Sequence, residues 1–91
     1  MRIWGRLIKE NRLLKDYTAC LDDPSMRRTQ KVYAALDEIC DAMDLSHPVW
    51  LTSNQEDFIR HARTRFNQDN FMESIDFDYL DFYVIEEDSE F

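Results

Sequence analysis

The run Asp76-Phe77-Asp78-Tyr79-Leu80-Asp81-Phe82-Tyr83-Val84-Ile85 places the strongest constraint on how this chain folds. Aromatic and β-branched residues crowd it and aspartates interrupt them at short intervals, the composition of a strand with one face in water. Its alternation slips, because Leu80, Phe82 and Val84 have the opposite parity to Phe77. A bulge at Asp78–Tyr79 restores one buried face of Phe77, Leu80, Phe82 and Val84 and turns Tyr83 and Ile85 outward.

Such a strand needs helices to cover its buried face, and two segments offer them. Ser53 and Glu56 stand at capping-box spacing, so a helix is expected to begin there. Phe58, Ile59, Ala62 and Phe66 then follow at one helical stripe, which carries that helix through Phe66. Upstream, Val32, Leu36, Ile39, Cys40 and Met43 lie at offsets of four, seven, eight and eleven, predicting a helix over roughly Thr29–Met43. Asp22-Asp23-Pro24-Ser25 precedes it as a stop and restart. His47-Pro48 follows it as a terminator, and Val49-Trp50-Leu51 reads as an apolar clip over the core edge.

Arg2–Ile8 and Leu13–Cys20 flank Lys9-Glu10-Asn11-Arg12, whose Asn11 tolerates the left-handed backbone of a tight turn, so the chain opens on a β-hairpin. The expected order is ββααβ. This is an α+β fold, a small single domain over 1–91 with a three-stranded antiparallel sheet packed on two helices. Residues 86–91 read as a frayed acidic tail.

Charge is sorted along the chain. Met1–Lys31 carries eight Lys/Arg against four Asp/Glu, Val32–Phe66 three against six, and Asn67–Phe91 none against nine, giving the net −8. Opposite charges on neighbouring strands attract, so the acidic last strand belongs beside the basic hairpin. Strand order 2-1-3, with the first strand central and the last at an edge, satisfies this without crossed connections.

Arg2-Ile3-Trp4-Gly5-Arg6, Arg65-Phe66 with Gln68-Asp69-Asn70-Phe71, and Asp76-Phe77-Asp78-Tyr79-Leu80 together give the chain a likeness to other sequences. Through them, over nearly its whole length, it resembles a group of short uncharacterised bacterial proteins. The resemblance implies a bacterial cytoplasm and transfers no site residue.

No stretch carries a catalytic or ligand-binding signature that outweighs a structural explanation. One glycine leaves little for phosphate-cradling loops. Asp76, Asp78 and Asp81 form a D-x-D-x-x-D string able to ligate a hard cation, but it lacks the glycine and distal glutamate of an EF-hand, and a solvated strand face accounts for it. Cys20, Cys40, His47 and His61 match no zinc spacing. His61, beside Arg60, Arg63 and Arg65, reads as a surface helix position. A Cys–His nucleophile needs distant segments to converge and an oxyanion loop that is not evident. No metal, cofactor or enzymatic activity is expected, and no apolar run reaches the length of a membrane span.

Two surfaces remain. The outward Tyr83 and Ile85, with Asp81, form the expected protein interface, at which a partner or a second copy adds a strand to an open sheet edge. The alternative is a nucleic-acid surface on the basic hairpin, comprising Arg2, Trp4, Arg6, Lys9, Arg12 and Lys15. The net charge of −8 opposes phosphate, so a protein partner or homodimer is the preferred expectation.

Overall fold

The computed structural model describes residues 1–88. Strands β1 (Arg2–Lys9) and β2 (Arg12–Cys20) are followed by helices α1 (Arg28–Ala42) and α2 (Thr52–His61). Strand β3 (Arg63–Phe66), one 3₁₀ turn at Gln68–Asn70 and strand β4 (Tyr79–Glu86) complete the order. The fold is α+β as expected. Its antiparallel sheet, however, has four strands in the order β2-β1-β4-β3 rather than three in the order 2-1-3.

The hairpin turns on Glu10 and Asn11, with φ of 52° and 62°, the paired left-handed geometry of a tight two-residue turn. Asparagine suits that geometry. Glutamate does not, and its backbone N–H is tied to Asp78 Oδ2 at 2.8 Å. α1 buries Val32, Leu36, Ile39 and Cys40, and Met43 caps the stripe. It lies so close to β1 that a Cβ on Gly5 would stand 2.6 Å from Ile39 Cγ2. The sole glycine therefore serves a close approach of helix to sheet.

The second helix departs from expectation at both ends. Its N-cap is Leu51, and Asn54 rather than Glu56 reaches back, its Oδ1 accepting from Leu51 N at 3.0 Å. Its last residue is His61, because Ala62 turns left-handed at φ 51° and its carbonyl accepts from Val84 N at 2.9 Å, already pairing with β4. The four residues read as the end of a helix are instead β3, with Thr64 and Phe66 buried and Arg63 and Arg65 on the other face. Ile59, assigned to the buried stripe, is 84% exposed, since the inward face of α2 is Asn54 and Phe58.

β3 takes the place expected of β4, so the last strand is internal, paired with β1 on one side and β3 on the other. The expected bulge is also relocated. β4 begins at Tyr79, Phe77 enters the core from the preceding segment, and Asp78 N donates to Ile8 O. Register shifts occur instead at Arg2/Ile3 against β4 and at Leu7/Ile8 against β2. The buried set Phe77, Leu80, Phe82 and Val84 is as read from the sequence.

Glu86–Asp88 is held rather than frayed. Glu86 ends β4 and pairs with Arg2, Glu87 with Arg28, and Asp88 with Lys31. The rest of the expected tail, 89–91, lies outside the described residues.

Trp50 seals the core between the helices and the sheet, its ring near perpendicular to Phe66, Phe58 and Phe82 at 5.0, 5.6 and 6.0 Å. Beneath it, buried Asn54 bonds Thr64 Oγ1, the Arg65 carbonyl and Asn70, and Asn70 bonds the Val49 carbonyl. All four hydrogen-bonding positions of Asn54 are filled, which pins α2, β3 and the 3₁₀ turn together. Among the described residues no helix is long and apolar enough to cross a membrane.

Candidate functional site

Helices cover one side of the sheet, leaving an open face and two outer edges. Alternation places Arg2, Trp4 and Arg6 of β1, Asp81 and Tyr83 of β4, and Arg63 and Arg65 of β3 on that open face, opposite the buried Ile3, Leu80, Phe82 and Phe66. The register sets Arg6 against Asp81 and Arg65 against Asp81 from the two sides. Arg63 Nε donates to Asp81 Oδ1 at 2.9 Å, and both Arg63 Nη2 and Arg6 Nη2 donate to Oδ2.

Asp81 is thereby only 1% exposed, although no helix lies above it. Burial pushes its pKa up, but the bonds and charges of Arg63 and Arg6 more than offset this and hold it below the ordinary aspartate value. The same pairing raises Arg63. Guanidiniums cover the neighbouring rings as well: Arg6 lies over Trp4 at 4.7 Å, Arg63 over Tyr83 at 5.3 Å and Arg65 over Tyr79 at 4.4 Å. Trp4 Nε1 donates to Asp16 Oδ2 at 2.9 Å.

The expected protein interface is thus divided differently. Tyr83 and Ile85 are partly exposed as anticipated, but on the face of an internal strand rather than at an edge. Asp81 is not a solvated gatekeeper, being the buried counter-ion of two arginines. The six residues of the expected nucleic-acid surface do not form one free cationic stripe. Arg2 pairs with Glu86, Arg6 with Asp81, and Trp4 is covered. Lys9 and Arg12 flank the turn, while Lys15 lies toward the helices, its Nζ donating to the Met43 carbonyl at the end of α1 at 3.2 Å.

The geometry of an unmet demand is found at β2. This nine-residue strand has a neighbour on one side only, so along its outer side a row of backbone donors and acceptors is without a strand partner among the described residues. Every residue of it except Ala19 is exposed, including Leu13 at 52% and Leu14 at 50%. The register passes from Leu7↔Lys15 to Ile8↔Leu13, which makes Leu14 the extra residue of a bulge. Tyr17 braces the strand toward α1, donating to Glu38 Oε2 at 3.1 Å. β3, the other outer strand, has four residues against nine.

Nothing in the described residues assembles a nucleophile. Cys20 and Cys40 are free thiols, and burial, followed by Asp37 and Asp41, pushes Cys40 up to about 12, so that it is protonated at neutral pH. No group of three or more His, Cys, Asp or Glu converges as a metal site among the described residues. Sequence reasoning missed Arg63 and the choice of β2, which the order 2-1-3 already set at an edge, as the docking strand. The alternation of Arg63-Thr64-Arg65-Phe66, polar out and Thr/Phe in, was the available signal for the first. No protein-family model, curated protein or solved structure matches the chain.

Proposed function

We propose that this chain is a small non-enzymatic interaction domain of the bacterial cytoplasm that self-associates by pairing β2 with β2 of a second copy. The observation that supports this is the long outer strand whose unpaired backbone row runs beside Leu13 and Leu14. Folded proteins protect such edges or use them, and a two-fold antiparallel pair satisfies both backbone rows at once. No cofactor, metal or membrane enters this reading. The test is light scattering after size exclusion across a concentration series, for wild type and for a Leu13→Lys/Leu14→Lys double variant. The expected result is a concentration-dependent dimer for the wild type and a folded monomer for the variant. A wild type that stays monomeric throughout sinks the proposal.

The open face favours a second reading, a nucleic-acid-associated regulator, because it gathers Arg2, Arg6, Arg63 and Arg65 around Trp4, Tyr79 and Tyr83. Guanidiniums already occupy those rings and three carboxylates neutralise much of the charge, so little is left for bases or phosphates. This reading requires binding to single-stranded nucleic acid that weakens steeply as salt rises.

A further inference from the structure

Two hydrogen bonds at the open end of the hairpin fix which way the backbone of β2 points. Met1 N donates to the Leu21 carbonyl at 3.1 Å and Leu21 N to the Met1 carbonyl at 2.8 Å, so these residues face each other as a hydrogen-bonded pair. The unbroken register from Arg2↔Cys20 to Leu7↔Lys15 carries the alternation along the strand. Ala19, Tyr17 and Lys15 therefore turn their N–H and C=O groups toward β1, and Cys20, Thr18 and Asp16 turn theirs outward. The extra residue at Leu14 interrupts the row, so the regular part of the open edge is Lys15–Cys20.

A second copy joined antiparallel about a two-fold axis must keep the faces of its sheet continuous with the first. Because side chains alternate between faces, one residue then lies opposite itself and the rest pair symmetrically about it. With Lys15 or Asp16 at the axis, like charges stand directly opposite. With Ala19 or Cys20 there, most of each strand stays unpaired. With Thr18 there, Leu14 runs past the end of the second β2 to Asp22, an apolar side chain against an acidic loop.

Tyr17 at the axis avoids all of these. Asp16 of each copy then meets Thr18 of the other as a hydrogen-bonded pair, Lys15 meets Ala19, and Leu14 comes beside Cys20. Tyr17 falls on a non-hydrogen-bonded site, where opposite side chains approach most closely and an aromatic pair is favoured. It is 37% exposed, with its hydroxyl on Glu38 of α1.

We propose that two copies pair through β2 in the register that sets Tyr17 against Tyr17, and that Lys15 and Asp16 exclude the alignments in which each would meet itself. This rests on the self-pairing stated above and specifies its geometry.

The test is disulfide capture of the full chain with diamide as oxidant, alongside light scattering of Cys20→Ser at the same concentrations. Cys40 is fully buried and stays in every variant. Opposite Cα atoms at a non-hydrogen-bonded site lie about 4.5 Å apart, within disulfide reach. Tyr17→Cys in the Cys20→Ser background is therefore expected to crosslink at least about fivefold faster than Thr18→Cys in the same background. Leu14→Cys with native Cys20 is expected to give a disulfide dimer that is lost when Cys20→Ser is added. That variant leaves the Tyr17 bond to Glu38 intact, so it reports on the register independently. A monomeric Cys20→Ser chain overturns the self-pairing and the register together. A dimeric one in which Thr18→Cys crosslinks as fast as Tyr17→Cys, or Leu14→Cys fails to capture Cys20, overturns the register alone.

Discussion

The two faces of the sheet are built by the same strands and closed by different physics. On the helix side, Ile3, Leu7, Leu80, Phe82 and Val84 disappear beneath α1 and α2, where burial acts without regard to direction. On the other side there is no second layer among the described residues, yet Asp81 is only 1% exposed. Arginine stems and aromatic rings from three strands lie over it and form a lid made of polar side chains. The difference lies in how each face fails. Removing a side chain from the first leaves a cavity, and removing one from the second leaves charges without partners.

Three measurements bear on that contrast, beginning with the largest expected effect. Phe66, fully buried and packed on Trp50 and Phe82, belongs to the cavity-forming face. Phe66→Ala is expected to destabilise by about 3–5 kcal/mol in equilibrium denaturation. A loss well below that range would mean that β3 is marginal and that the contrast is overdrawn.

Asp81→Asn comes next, at about 2–3 kcal/mol near neutral pH, because the two guanidiniums keep part of their surface in water and are less stranded than in a dry core. Its pH dependence carries the sharper information. The folded pKa of Asp81 is lowered, so its contribution is fully present above the ordinary aspartate value near 3.9 and is lost as the pH falls through the folded one. Wild type and variant should therefore converge in strong acid. A gap that persists there would show that Asp81 acts by packing rather than by charge.

The smallest effect belongs to a charge cluster that lacks such a lid. His47 bridges Asp37 and Asp41 of α1 with both ring nitrogens at 2.9 Å, about half exposed. The bond to Asp41 raises its pKa, against some desolvation and with help from Asp37. Its contribution is accordingly complete below about pH 6.5 and fades as the pH rises through the raised folded value. A salt-sensitive loss of about 0.2–1 kcal/mol is expected on that rise, absent in His47→Gln. If it matched the Asp81 effect, the side-chain lid would be contributing nothing.

The hairpin, the first helix and the buried parity of Phe77, Leu80, Phe82 and Val84 were legible because each is a local periodicity or a local turn residue. The sorting of charge also carried real information, since β4 lies beside β1 with Arg6 opposite Asp81 and Arg2 opposite Glu86. β3 was illegible as a break in the helix, because Ala62 occupies a left-handed position where glycine is the usual signal. Phe66 also satisfies both periods, eight residues from Phe58 on a helix and alternate to Thr64 on a strand.

The sequence by itself therefore determined which residues turn inward on each element and that the basic and acidic ends would meet, since periodicity and charge act over short spans or without regard to detail. Only the tertiary structure decided which strand stands at the edge, because that depends on four residues peeling from a helix to pair with β4. The same event brings Arg63 to Asp81 from 18 residues away and converts an aspartate that reads as solvated into the most buried charged side chain among the described residues. It also closes the outer side of β4, so the open backbone rows belong to β2 and β3, since an edge is a property of a neighbour's absence and no strand's own residues encode it.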